Sequence, residues 1–277
     1  MPTVLITGAS KGIGRATALY LDRKGYTVFA GVRNPADGDD LCQSASARLQ
    51  PVLLDITSEA QVAQAVEYIG RAVGENGLDA LVNNAGMAVS APLEFLPVAE
   101  LRRQLDVNLV AQLAVTQAFL PLIRKASGRI VNISSIGGKI AGRMLGAYHA
   151  SKFALEALTD TLRQELAPWN IPVISIEPGA VATPIWDTSV QTADRLWSQM
   201  PPQAVTLYQG MIDRARAGAA RSAKEGLPPE AVAVVVERAL TERQPRTRYP
   251  VGRDAQIGAR VLAHLPDRLR DRLMQRF

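Results

Sequence analysis

Short apolar runs alternate along this chain with longer segments of helical period, and that alternation restricts the fold more than any other feature. The runs are VLIT (4–7), TVFAGV (27–32), PVLLDI (51–56), ALVNNA (80–85), GRIVNIS (128–134) and PVISIEP (172–178). They are apolar almost throughout, as strands covered on both faces are. Strands separated by helices pair in parallel through right-handed crossovers, which place helices on either side of the sheet. The expectation is an α/β fold: one doubly wound parallel sheet, with the strand carboxyl ends converging on a crevice where the order reverses. With 277 residues, 47% of them apolar, one domain can bury its own core.

Residues 1–250 are read as the catalytic domain. Its segment at about 185–227, polar and marked by Trp186, Trp197, Met200 and Pro201-Pro202, forms a helical flap over the crevice. Residues 251–277 are read as a basic amphipathic extension, with Val261, Leu262, Leu265, Leu269 and Leu273 at helical spacing and a new short helix starting at Pro266. Such an element either packs on the body or touches a membrane surface or partner. The net charge of +5 comes from residues 241–277, where nine arginines face four acids, and the rest of the chain is balanced. With only Tyr249 and Phe277 as aromatics there, no base-stacking groove is expected, hence no nucleic acid. The run Val232–Val236 reads as a core helix, and no stretch holds the roughly 18 uninterrupted apolar residues of a membrane span. Cys42 has no partner for a disulfide and Met1-Pro2 leads straight into the first strand, so a reducing, cytoplasmic setting is expected.

The first strand enters Thr7-Gly8-Ala9-Ser10-Lys11-Gly12-Ile13-Gly14 and then a helix. Glycines allow a tight turn and close approach of backbone to a pyrophosphate, and a helix N-terminus supplies donors and partial positive charge. A plain strand-to-helix turn uses glycines in the same way. An NAD site usually carries an acid at the end of the second strand, but here Gly31-Val32 is followed by Arg33. Arg33 and Lys11 can meet one more phosphate, which favours NADP(H), or can be ordinary surface charges. Asp55, with Ile56 beside it, either accepts from the adenine amino group or caps the helix entered at Thr57-Ser58-Glu59.

Tyr148 and Lys152 in YHASK stand four residues apart on a helix and point the same way. An ammonium beside a phenol favours the phenolate, so the spacing predicts a tyrosine drawn down toward neutral pH, fit for proton exchange with a carbonyl or alcohol. Ser135 ends the fifth strand, where its hydroxyl can bond the substrate oxygen; alternation turns Ser134 away. His149 shares no face with Tyr148 and is expected at the surface or a subunit contact.

Taken together, TGASKGIG, NNAG (83–86), Asn108, Ser135, YHASK and Pro178-Gly179 resemble the short-chain dehydrogenase/reductase family over the first 184 residues. The resemblance implies a Rossmann-type fold and a catalytic set of Ser135, Tyr148 and Lys152, with Asn108 joining Lys152 through a water-linked relay. It implies cofactor contacts from Gly8, Ser10, Lys11, Gly12, Ile13, Gly14, Arg33, Asp55, Ile56, Asn83, Ala85, Gly86, Tyr148 and Lys152. Pro178, Gly179, Val181 and Thr183 complete the set by holding the carboxamide and closing over the phosphates. No metal is implied. VFAGVRNP and IEPG look like the branch with steroid and retinol dehydrogenases. Val89, Pro92, Leu93, Phe95, Ile140, Met144, Leu145, Ile185 and Trp186 then line a pocket for a bulky lipophilic ketone or alcohol, or belong to the core. A homodimer or homotetramer assembled through helices at 100–125 and 148–168 is implied as well. A catalytically silent NADP(H) sensor and a membrane or partner module are the competing classes.

Overall fold

A computed structural model describes residues 1–274; the end of the expected extension, residues 275–277 with Phe277, lies outside the described residues. Seven strands pair in parallel in the order β3-β2-β1-β4-β5-β6-β7. They are β1 (Thr3–Ile6), β2 (Thr27–Val32), β3 (Leu49–Leu53), β4 (Ala80–Asn83), β5 (Arg129–Ile133), β6 (Val173–Pro178) and β7 (Arg248–Val251). The first six occupy the expected runs, although β3 begins two residues early and ends before Asp55-Ile56. The seventh was not expected. RYPV carries an arginine and a proline, a weak strand signal that a sheet edge tolerates. It crosses residue 250, so the expected division there falls inside a strand hydrogen-bonded to β6.

Alternate strand residues feed opposite layers. Val4 and Ile6 face α1 (Gly12–Arg23) and α9 (Pro229–Thr241), packing with Leu21, Val232 and Val236. Leu5 faces the other way, in the layer holding Ile69 of α3 (Glu59–Val73) with Val115, Phe119 and Ile123 of α5 (Ala111–Ala126). α2 (Pro35–Cys42) closes the β2–β3 side. Val232 and Val236 are buried, as a core helix requires.

α4 (Val98–Leu105) runs through a π-turn, Asp106–Val110, into α5, making one continuous helix. This helix is long and apolar enough to cross a membrane by length and composition, at a mean hydropathy of 1.3. Here it buries Val115, Phe119 and Ile123 against the sheet. α6 (Gly146–Leu166) follows β5. The segment after β6 forms a helical hairpin, α7 (Ile185–Ser198) and α8 (Pro202–Glu225), seated on Met144 by Ala193, Trp197 and Ile212. The C-terminal segment is broken ahead of Pro266, as expected. It divides into α10 (Arg253–Arg260), a single 3-10 turn and α11 (Asp267–Met274), with Pro266 just ahead of the last.

Candidate active site

The strand order reverses between β1 and β4, and the turn after β1 is braced by the loop after β4. Gly8 and Gly12 adopt φ of +66° and +58°, conformations that favour glycine. A Cβ at Gly8 would lie 2.8 Å from the Ala85 Cα, and one at Gly14 would land on the Gly8 carbonyl oxygen. Asn84 Nδ2 donates to the Thr7 and Gly8 carbonyls at 2.9 and 3.1 Å, while Thr7 Oγ1 accepts from the Asn84 and Ala85 backbone N–H groups. Asn84 lies in the NNAG run that the resemblance singles out, while its partner Thr7, 77 residues away, is outside the expected cofactor set. α1 starts at Gly12 with no side-chain cap and no acid in its first turn, so its N–H groups and positive end are available to an anion. Thr183 faces Gly12 from across the crevice, Ser10 is half-buried beside them, and Ile13 packs its side chain on the core. This close-packed cradle fits a nucleotide pyrophosphate.

At the end of β2 no acid is present, and Arg33 and Lys11 are both exposed. Neither forms an ion pair among the described residues. Asp55 is not the helix cap: Ser58 caps α3 through Gln61 N. Asp55 instead accepts from Thr57 N and Oγ1 at 2.9 and 2.7 Å. Burial pushes its carboxyl up, but those bonds and the Arg33 charge outweigh burial and hold it below the usual range. Ile56 contributes its side chain to the core. The Asn83 side chain points into the protein, donating to Thr116 Oγ1 and Asn132 Oδ1, so it ties β4 to α5 and β5 rather than facing a ribose. Gly86 is exposed, opposite Asn108 Oδ1.

Three amides from the 98–126 helix hold the loop after β4. Gln112 Nε2 donates to the Ala85 carbonyl, Asn108 bonds Met87 through both its N–H and its carbonyl, and Gln104 bonds Met87 O and Val89 N. At four-residue spacing an α-helix drifts about 40° per step, and the wider π-turn takes back part of that drift. Asn108 Nδ2 also reaches Ser151 Oγ, which in turn bonds the Tyr148 carbonyl, linking this loop to α6. Gln104 and Gln112 carried no sequence signal beyond their spacing from Asn108.

Ser135, Tyr148 and Lys152 converge at the end of β5. The Ser135 hydroxyl stands beside the Tyr148 phenol, lies 3.5 Å from the Pro178 carbonyl and accepts from Gly137 N at 2.9 Å. Lys152 is buried, donates to the Ile133 carbonyl at 2.8 Å, and stands 5.9 Å from the centroid of the Tyr148 ring. The expected drop in the tyrosine pKa is not what these contacts produce. Burial pushes the Tyr148 phenol up, against the opposing effect of the Ser135 hydroxyl, and burial pushes Lys152 down to about 8 although Glu156 acts the other way. The lysine spends its bond on a backbone carbonyl, and desolvation raises the cost of both charged forms. His149 is half-buried rather than at the surface: its Nδ1 lies 3.0 Å from the Gly137 carbonyl and braces the turn carrying Ser135.

Behind Lys152 lies a carboxyl pair outside the expected set. Glu156 (α6) and Glu177 (β6) are both buried, and both meet Lys139 and Arg248 of β7, the latter at 2.9 and 3.3 Å. Burial and the neighbouring Glu156 charge push Glu177 up to about 7 despite the two cations. For Glu156, burial pushes upward, but the nearby Ser134 hydroxyl, the bonds from Ser175 and Arg248 and the Lys139 charge outweigh it and hold the group low.

The loop from Pro178 to Thr183 closes the crevice. Val181 is buried and bridges Leu227, and Trp186 Nε1 donates to the Val181 carbonyl at 2.8 Å. The flap is tethered to the loop after β4 by Tyr208, whose hydroxyl donates to Glu94 at 2.7 Å and whose ring meets Phe95 edge-on. Met144 is buried beneath it; Val89 and Ile140 are buried too, Ile140 toward Gly258 of α10, while Leu93 is largely exposed.

A cradle for a dinucleotide and a phenol that can exchange a proton, set on one sheet edge, serve a single purpose: moving a hydride and a proton at one carbonyl group. The protein is a nicotinamide-dependent oxidoreductase. It belongs to the short-chain dehydrogenase family, whose model matches residues 2–194. Among curated relatives it is 40% identical to mouse (Mus musculus) retinol dehydrogenase 5, covering 98% of this chain and 87% of that protein. It is 38% identical to 17-beta-hydroxysteroid dehydrogenase type 6 of Bos taurus, covering 99% and 87%. A solved short-chain dehydrogenase from Burkholderia cenocepacia, in complex with NADP, matches with a TM-score of 0.76 at 27% identity, covering 98% of this chain and 97% of that one.

Proposed function

We propose that the protein interconverts a bulky lipophilic ketone and its secondary alcohol with NADP(H), with Ser135, Tyr148 and Lys152 as the catalytic residues. The observation that carries the reading is the convergence of these three side chains at the end of β5, beneath a helical flap whose inner face is apolar. Bound nicotinamide would supply or accept the hydride at the substrate carbon. Tyr148, a phenol whose hold on its proton burial strengthens, donates that proton to the carbonyl oxygen in the reducing direction. Ser135 stands beside the phenol, where its hydroxyl can bond the same substrate oxygen. Lys152 holds an ammonium near the ring, stabilising the phenolate once the proton has left. Asn108 supports this geometry through Met87 and Ser151.

Preference for the phosphorylated cofactor is supported by the exposed Arg33 and Lys11 and by the missing acid after β2. The apolar inner face of the flap, and relatives named for retinol and hydroxysteroids, support the substrate class. Exposed Val110 and Phe153 support a homo-oligomer assembled through α5 and α6, and exposed Ile257, Val261 and Leu269 beside arginines support peripheral membrane contact by the C-terminal segment of a cytoplasmic protein. Tyr148→Phe removes only the transferable proton; turnover of lipophilic ketones is expected to fall by at least about a hundredfold with the affinity for NADPH unchanged. Turnover retained in that variant would exclude the proton-donor role.

A further inference from the structure

We infer that Asp254, on α10 far along the chain, is a positioning residue that holds the loop Gly179–Thr183 in the shape that receives the nicotinamide end of the cofactor. The inference rests on the cofactor reading above. Besides the two bonds from Trp186, to the Val181 and Thr183 carbonyls, four hydrogen bonds fasten the loop to the neighbouring segments. Gly179 N donates to the Val251 carbonyl, Leu227 N to the Ala180 carbonyl, Ala182 N to the Leu227 carbonyl, and Ala180 N to Asp254 Oδ2 at 2.8 Å. The first three join backbone to backbone and survive most substitutions. The fourth is the one side-chain tie among them.

Two glycines are shaped around that carboxylate. A Cβ at Gly179 would fall on the Asp254 carboxyl group, and one at Gly252 would lie 2.5 Å from Asp254 Oδ1. Gly252 also takes φ +105°, which turns the chain out of β7 so that the first turn of α10 looks back at the end of β6. One carboxylate thus fills the space that two strand ends leave open. Its bond to Ala180 N fixes the residue preceding Val181, whose side chain is buried against Leu227 of the opposite segment. Without it, Ala180 and Val181 gain freedom next to the place where the carboxamide must be held, so cofactor affinity falls while proton transfer at Tyr148 is untouched.

The test compares Asp254→Ala, Asp254→Asn and wild type by titration with NADPH and NADH, following tryptophan quenching, and by amide hydrogen exchange. Asp254→Asn keeps a carbonyl oxygen for Ala180 N and is expected to bind cofactor within about twofold of wild type. Asp254→Ala is expected to bind about tenfold more weakly, the loss of one hydrogen bond to an exposed charged group, with faster exchange at Ala180–Thr183 and unchanged exchange in β1 and β4. In activity assays the change should fall on the cofactor KM, with kcat nearly constant. Gly179→Ala is expected to mimic Asp254→Ala, and combining the two should be no worse than Gly179→Ala alone, because removing the carboxylate makes room for the methyl group. Unchanged exchange at Ala180–Thr183 in Asp254→Ala overturns the inference, as does Asn behaving like Ala. If wild type binds neither nicotinamide, the cofactor reading fails by itself, and the exchange arm still decides whether Asp254 holds the loop.

Discussion

Glu177 is 1% exposed and has Glu156 as its neighbour, so its ionisation has a measurable cost. In the unfolded chain its pKa is near 4.5; in the folded protein it is pushed up to about 7. The folded state therefore holds the proton more tightly. The stability this contributes is complete below pH 4.5 and is lost as pH rises through 7. At about 1.36 kcal/mol per pH unit, the loss over that window is ~3 kcal/mol. Glu177→Gln keeps the shape and remains neutral, with an amide able to donate to Glu156 as the protonated acid does. The difference in unfolding free energy between Glu177→Gln and wild type should be small at pH 4.5 and grow to ~3 kcal/mol by pH 7.5, a gap of roughly 6–12 °C in Tm. Urea unfolding followed by the fluorescence of the three tryptophans, repeated across pH 4.5–8, measures it. Groups distant from Glu177 are common to both proteins and cancel in the difference. A difference constant with pH would refute the reasoning, showing Glu177 ionised throughout and neutralised by Arg248 and Lys139.

Arg33→Ala should weaken NADPH binding about tenfold, the contribution of one charge-assisted phosphate contact, and leave NADH within about twofold; equal losses in parallel titrations would remove the phosphate role. Asn84→Ala leaves the Thr7 and Gly8 carbonyls without their donor and should cost ~1–3 kcal/mol of stability by urea unfolding. Asn84→Asp should cost more, since it sets a carboxylate against two carbonyl oxygens.

Much of the fold was legible because its signals are local. The six buried strands announce themselves as apolar runs, and the glycine turn stands directly between a strand and a helix. β7 escaped because an edge strand needs neither a continuous apolar run nor every N–H, so RYPV does not look like its neighbours. Lys152 shows the limit of a local signal. Its spacing from Tyr148 was read correctly, but the effect on the tyrosine depended on burial and on the Ile133 carbonyl, which helical spacing does not encode. Asn83 and Asn84, adjacent in sequence, take opposite duties because strand alternation sends one into the core and the other to the glycine turn.

By itself the sequence determined the layered architecture, the glycine turn and the serine, tyrosine and lysine proposed for the reaction, since each depends on residues within a few positions of one another or on strand ends that the topology gathers. Tertiary structure alone decided which distant side chains support them: Asn84 on Thr7, Glu156 against Glu177, Arg248 on α6, Asp254 on Ala180. Those pairings depend on register, crossover path and depth of burial. Such quantities are set when the layers close on one another, and hydrophobic periodicity carries no record of them.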